Sequence, residues 1–293
     1  MKINVNRDLV PVFVLVPVFV LFIFSSLAYA KPIETIEWED LSDIRDVSEQ
    51  GRTALSFEPE NWKHAETGHF VFHFTDPGTA ETFYRQAEET YRWVQSILDI
   101  REDQWHNKAH IYVFEDAATW KKFKRIEAPA LETADAYTTG KELFIRRSPA
   151  WLGAGKVLGH ELTHVLLYRF VEGRVPLVLN EGFAEFIGYK AAARAVDGNE
   201  YRVRILRLLA PEAYVPLEKF LVTQSYPAGD KTLFYRQSEL FVRYLILTYG
   251  KEKFHDLLTE TARGGDFRNI LIKIYQLDFP SLENGFKRFA LRK

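Results

Sequence analysis

The chain has 293 residues, 47% hydrophobic and 27% charged, an ordinary globular balance that allows a substantial core. A formal net charge of −2 excludes a global field drawing in nucleic acid or an anionic membrane surface. Cysteine is absent, so no disulfide can form, stability rests on core burial, and any metal must be held by His, Asp or Glu.

The first thirty residues, MKINVNRDLVPVFVLVPVFVLFIFSSLAYA, read as a secretory signal peptide. Lys2 and Arg7 form a positive n-region, Leu9 to Phe24 an apolar stretch, and Ala28-Tyr29-Ala30 a cleavage site of the A-x-A type. An uncleaved anchor fits less well, because the apolar run is short of the ~20 residues of a membrane span and carries Pro11 and Pro17. The expectation is an exported chain, periplasmic or extracellular, without stable membrane insertion once the signal is removed. No cysteine is available for a lipid anchor.

Residues 31–68 are polar and irregular, with Trp38 and Trp62, and read as an N-terminal extension. HFVFHF (69–74) alternates like a strand, and Phe83, Ala87, Tyr91 and Val94 mark a helix over about 79–98. AHIYVF (109–114) is a β-branched and aromatic run, hence a strand, followed by a short helix near 117–123. ELFIRR (142–147) is another strand after the turn signal TTGK. From Gly153 on, the periodicity turns helical, over 155–169, 181–195, 199–209, 233–249, 251–262, 267–276 and 281–290. The segregation predicts an α+β fold. A mixed-sheet lobe (69–152) precedes an all-helical lobe (153–293) within one domain over 69–293, with a cleft expected between the lobes.

The second lobe opens with VLGHELTHVLL (157–167), where His160, Glu161 and His164 interrupt an aliphatic run. On a helix, positions i and i+4 share a face, so the two imidazoles can reach one metal ion. Glu161 is rotated off the ligand direction and suits a water on the metal. A catalytic zinc site needs a third protein ligand. Seventeen residues after His164, LNEGFAEFIGY supplies Glu181, with Asn180 as the expected N-cap of its helix and Gly182 allowing close approach to a neighbour. Gly173 and Pro176 let the chain turn back, bringing Glu181 toward the histidines. Glu185, one turn further, is the candidate acceptor for a ligating histidine's second N–H. His69 and His73 share a strand face too far apart to chelate readily. They, with His64, His106 and His110, read as ordinary sheet residues. His255 could in principle serve as an oxyanion donor, though nothing in the sequence places it there.

His160-Glu-Leu-Thr-His164 followed by Asn180-Glu-Gly-Phe-Ala-Glu185 resembles the gluzincin metallopeptidases, and within them the bacterial peptidase MA-like group. Downstream, VPLEKFL (215–221) and YRQSELFVRYLILTYG (235–250) are similar to that group's later signature. The resemblance implies a zincin, thermolysin-like fold with one Zn2+ per chain on His160, His164 and Glu181. It also implies Glu161 as general base, Tyr235 as hydrogen-bond donor to the developing oxyanion, and a peptide or protein substrate. From the residues alone, Tyr235 sits at the border of its helix's wet and apolar faces, where packing is its ordinary role. No counterpart of the G-x-M-E-N segment of aminopeptidases in this clan is present. AYTTGKELFI (136–145) occupies that place and offers a strand that could pair with an extended peptide. Two other readings share the metal group: a non-catalytic zinc-binding or interaction protein of the same fold, and a zinc hydrolase of a non-peptide bond.

Overall fold

The computed structural model describes residues 34–45, 47–131, 134–147, 151–196, 208–228 and 231–291. The segment read as a signal peptide lies outside the described residues, as does the helix expected at 199–209 except for Leu208 and Leu209, which are not helical. Five strands form one mixed sheet: β1 (Lys63–Glu66), β2 (Phe70–Phe74), β3 (Ala109–Phe114), β4 (Ala136–Thr138) and β5 (Glu142–Arg146). Their spatial order is β1-β2-β3-β5-β4, with β2, β3 and β5 parallel and both outer strands antiparallel to their neighbours. Every residue of β2 and β3 is buried, which is why these strands are apolar and aromatic on both sides rather than alternating.

Helices α1 (Glu49–Leu55), α2 (Pro77–Leu98) and α3 (Ala117–Glu127) intersperse the strands. After β5 the named elements are helical: α4 (Trp151–Phe170), α5 (Leu177–Val196), α6 (Leu217–Phe220), α7 (Lys231–Tyr249), α8 (Lys251–Ala262), α9 (Phe267–Tyr275) and α10 (Phe279–Ala290). The α+β class is therefore as the sequence predicts. Phe70, Phe72, Ile111, Val113, Leu143 and Ile145 belong to one apolar core that runs through α2 and α4 to Phe254 and Phe286. The alternate residues Tyr112, Phe114 and Phe144 form a second cluster with Ala54, Trp120 and Phe123 of α1 and α3.

Residues 34–66 correct the expectation of an irregular extension. Lys63–Glu66 pairs with β2, Ile36 bridges to His64, and Ser48 caps α1 while its amide donates to the Glu142 carboxylate at 3.0 Å. The reason is local: KHAE is short and polar because it is an outer strand, so it lacks the apolar alternation by which strands announce themselves.

The sheet histidines are more organised than the sequence indicates. His64 Nδ1 lies 2.8 Å from His73 Nδ1, and His73 Nε2 lies 2.9 Å from His110 Nδ1, a buried chain across β1, β2 and β3. Because His73 uses both ring nitrogens on its neighbours, the three do not converge on one metal position. Burial pushes the pKa of His64 down; burial and the flanking imidazoles push His73 well down. His69 behaves oppositely. Burial works against its charge, but Glu88 at 2.8 Å and Glu102 at 3.0 Å outweigh this and raise it. Below the unfolded histidine value of about 6.5, an unfolded chain takes up protons that folded His64 and His73 refuse, whereas His69 is protonated in both states. Stability should therefore fall on acidification from pH ~6.5 toward 5, by up to about 1.4 kcal/mol per pH unit for each of the two. Thermal midpoints measured across that window in chelator would show this; a flat profile contradicts it.

Candidate active site

α4 and α5 make the most extensive helix pair among the described residues, and small residues set their separation. A Cβ on Gly188 of α5 would lie 2.7 Å from the Lys156 carbonyl and 3.4 Å from His160 Cβ. Gly159 of α4 faces it, and a Cβ there would lie 3.3 Å from Gly188 Cα. The close approach expected of Gly182 is made to α7, where a Cβ would clash with the Ser238 carbonyl. Gly188→Ala should separate α4 from α5, costing about 1–3 kcal/mol as other overpacked sites do, and weaken metal binding with it. Unchanged denaturant midpoint and unchanged metal affinity would refute that link.

The helices bring three donor atoms together. His160 Nε2 and His164 Nε2 are 3.1 Å apart, and Glu181 Oε2 lies 3.4 Å from the first and 3.6 Å from the second. These three residues could hold one metal ion. Bonds of about 2.0–2.1 Å in a tetrahedral site place neighbouring ligand atoms roughly 3.3 Å apart, so the triangle fits such an ion. The electrostatics favour positive charge at its centre. Burial would raise the Glu181 pKa, but the two imidazoles facing it hold it well below the usual carboxylate range. Burial also opposes protonation of His160, yet Glu181 and Glu185 together push it up to about 10.

Around this triangle stands a second layer of side chains. Glu185 Oε1 is 3.2 Å from His160 Nδ1, an ion-pair contact off the line of an aligned hydrogen bond, and accepts from Lys156 Nζ at 2.8 Å. Burial acts to raise Glu185, but His160 and Lys156 bring it down to about 2, so it remains anionic. Glu185→Ala should lower metal affinity about 10–100-fold, as loss of such supporting partners does elsewhere. Competition with a calibrated chelator would measure it, and an unchanged affinity would remove Glu185 from the site's support.

Asn180 does not cap α5. The helix starts a turn earlier because Pro176 presets the backbone and its carbonyl accepts from the Leu179 and Asn180 amides, both at 2.9 Å. Inside the helix, Asn180 Oδ1 instead sits 3.3 Å from His164 Nδ1. The sequence did not point to this role, nor to Lys156 or to Tyr226, whose hydroxyl donates to Glu181 Oε1 at 2.6 Å. None of the three lies at a spacing that marks a ligand; each is brought in by packing.

His160, Glu161, His164 and Glu181 line a cleft of about 730 Å3, together with β4, Tyr226 and Tyr235. Glu161 makes no hydrogen bond or ion pair among the described residues and is open to the cleft. The Tyr235 ring meets the His160 ring edge-on at 6.2 Å. Burial, then the charge of Glu181, pushes its phenol up to about 12, so it stays a proton donor. Gln237, two residues on, clamps the chain before α6 by donating to the Val215 carbonyl at 2.6 Å and accepting from its amide at 2.9 Å. His255 lies on α8 and does not line the cleft.

An α+β fold that sets two histidines and a carboxylate for a metal ion beside an open cleft, with a further carboxylate free, has the layout of a metal-dependent hydrolase. The family model of the peptidase MA superfamily matches residues 103–291, well over half of the chain, and the chain belongs to that superfamily. No curated protein matches it significantly. Membership places the chain among peptidases that are usually metal-dependent. No helix of the described residues is long and apolar enough to cross a membrane.

Proposed function

We propose that the protein is an exported zinc metallopeptidase of gluzincin type, with a thermolysin-like arrangement in which the cleft separates a sheet lobe from a helical lobe. The observation that carries this reading is the triangle of His160, His164 and Glu181, whose 3.1–3.6 Å edges suit one tetrahedral ion. Zinc bound there would lower the pKa of a water molecule toward about 7 and polarise the scissile carbonyl. Glu161, open to the cleft, takes the proton from the attacking water and passes it to the departing amine. Tyr235, protonated at its phenol, donates to the oxyanion that develops on the carbonyl. Glu185 and Asn180 fix the imidazoles of His160 and His164 from behind. Strand β4 lines the cleft at the sheet's edge, where an extended peptide can pair with its backbone.

Incubation with a mixed peptide library, read by mass spectrometry, tests this. New termini should appear, vanish with a chelator and return with zinc. Intact peptides from protein carrying stoichiometric zinc would contradict peptidase activity and leave a non-peptide bond, or binding alone, as the role.

A further inference from the structure

Among the described residues, the only carboxylates lining the cleft are Glu161 and Glu181, read above as general base and metal ligand. The other charged side chains in its lining among the described residues, apart from the two histidines, are Arg174 and Lys231. Both are exposed. Arg174 lies on the loop into α5, fixed by its amide donating to the Ala262 carbonyl at 3.1 Å. Lys231 opens α7, with its ammonium 5.8 Å from the ring centre of Tyr226, the residue whose hydroxyl holds Glu181. Neither cation has a carboxylate partner among the described residues. Several arginines outside the cleft do: Arg146 pairs with Asp135, Arg147 with Glu115, Arg263 with Glu260 and Arg268 with Glu218.

An unpaired cation in a concave site attracts anionic ligands and repels cationic ones. We infer that Arg174 and Lys231 select carboxylate-bearing peptides, so that the substrate class is acidic polypeptide. This inference rests on the peptidase reading of the cleft. The carboxylate can come from an Asp or Glu side chain or from the peptide's own C-terminus, and the chemistry at the two cations is the same for both.

The test is equilibrium binding of fluorescent peptides to zinc-loaded Glu161→Gln protein, in which bound peptide is not consumed, followed by cleavage assays on the unmodified protein. Four peptides of one length are compared: acidic and C-terminally amidated, neutral with a free carboxylate, neutral and amidated, and basic and amidated. At least one of the first two should bind about tenfold more tightly than the basic peptide, and raised salt should shrink the gap. Whichever of the two binds more tightly identifies the source of the carboxylate. Arg174→Glu with Lys231→Glu should invert the preference, whereas Lys122→Glu on the exposed side of α3 should leave it alone. Equal affinities, no measurable binding, or a preference untouched by the double reversal would each overturn the inference. Selective binding without cleavage by the unmodified protein would instead sink the peptidase reading and leave carboxylate recognition standing. Cleavage of all four peptides at equal rates and affinities would do the reverse.

Discussion

Replacing Glu161 by Gln should lower kcat by about 10²–10⁴-fold while leaving zinc stoichiometric and the fold intact. The carboxylate lines the cleft without a hydrogen bond or ion pair among the described residues, so nothing in the packing depends on its charge. Gln keeps the shape and removes only the ability to accept a proton. The expected signature is separation of two readouts that a folding defect would move together: zinc content and thermal midpoint hold, and turnover collapses. Turnover near the unmodified level would show that another group takes the proton.

Replacing Glu181 by Ala should do the opposite, taking away the metal first and activity with it. Glu181 is buried and supplies the one anionic corner of the donor triangle. The substitution also removes the carboxylate to which the Tyr226 hydroxyl donates. A ligand present at a thousand times its dissociation constant stabilises the fold by about 4 kcal/mol, so loss of the site should lower the thermal midpoint measured in zinc. In chelator, that zinc-dependent part of the difference should disappear. A variant that still binds one zinc as tightly as the parent would exclude Glu181 as a ligand.

The sequence carried much of this structure, and the parts it hid share a cause. AHIYVF reads as a strand because both its faces are buried among apolar neighbours, and the 3.6-residue period marks α2 for the complementary reason. The spacing of His160 and His164 is intrinsic to one helix turn, so it is visible without a fold. Glu181 was legible as a nearby carboxylate on the following helix, although the turn at Pro176 that starts that helix early was not. Lys156, Asn180 and Tyr226 reach the site only through the docking of α4, α5 and the chain before α7. The chain of His64, His73 and His110 is likewise a product of strand register, which sets His73 opposite His64 on one side and diagonal to His110 on the other. Periodicity reports which face a residue occupies. It does not report what stands opposite, and that is where the missed contacts lie.

The account's central claim is tested most directly by titrating zinc into metal-free protein and following peptide hydrolysis. Activity should start near zero, rise in proportion to added zinc and level off at one equivalent per chain. Hydrolysis already maximal in the metal-free protein, or none at full occupancy, would contradict it.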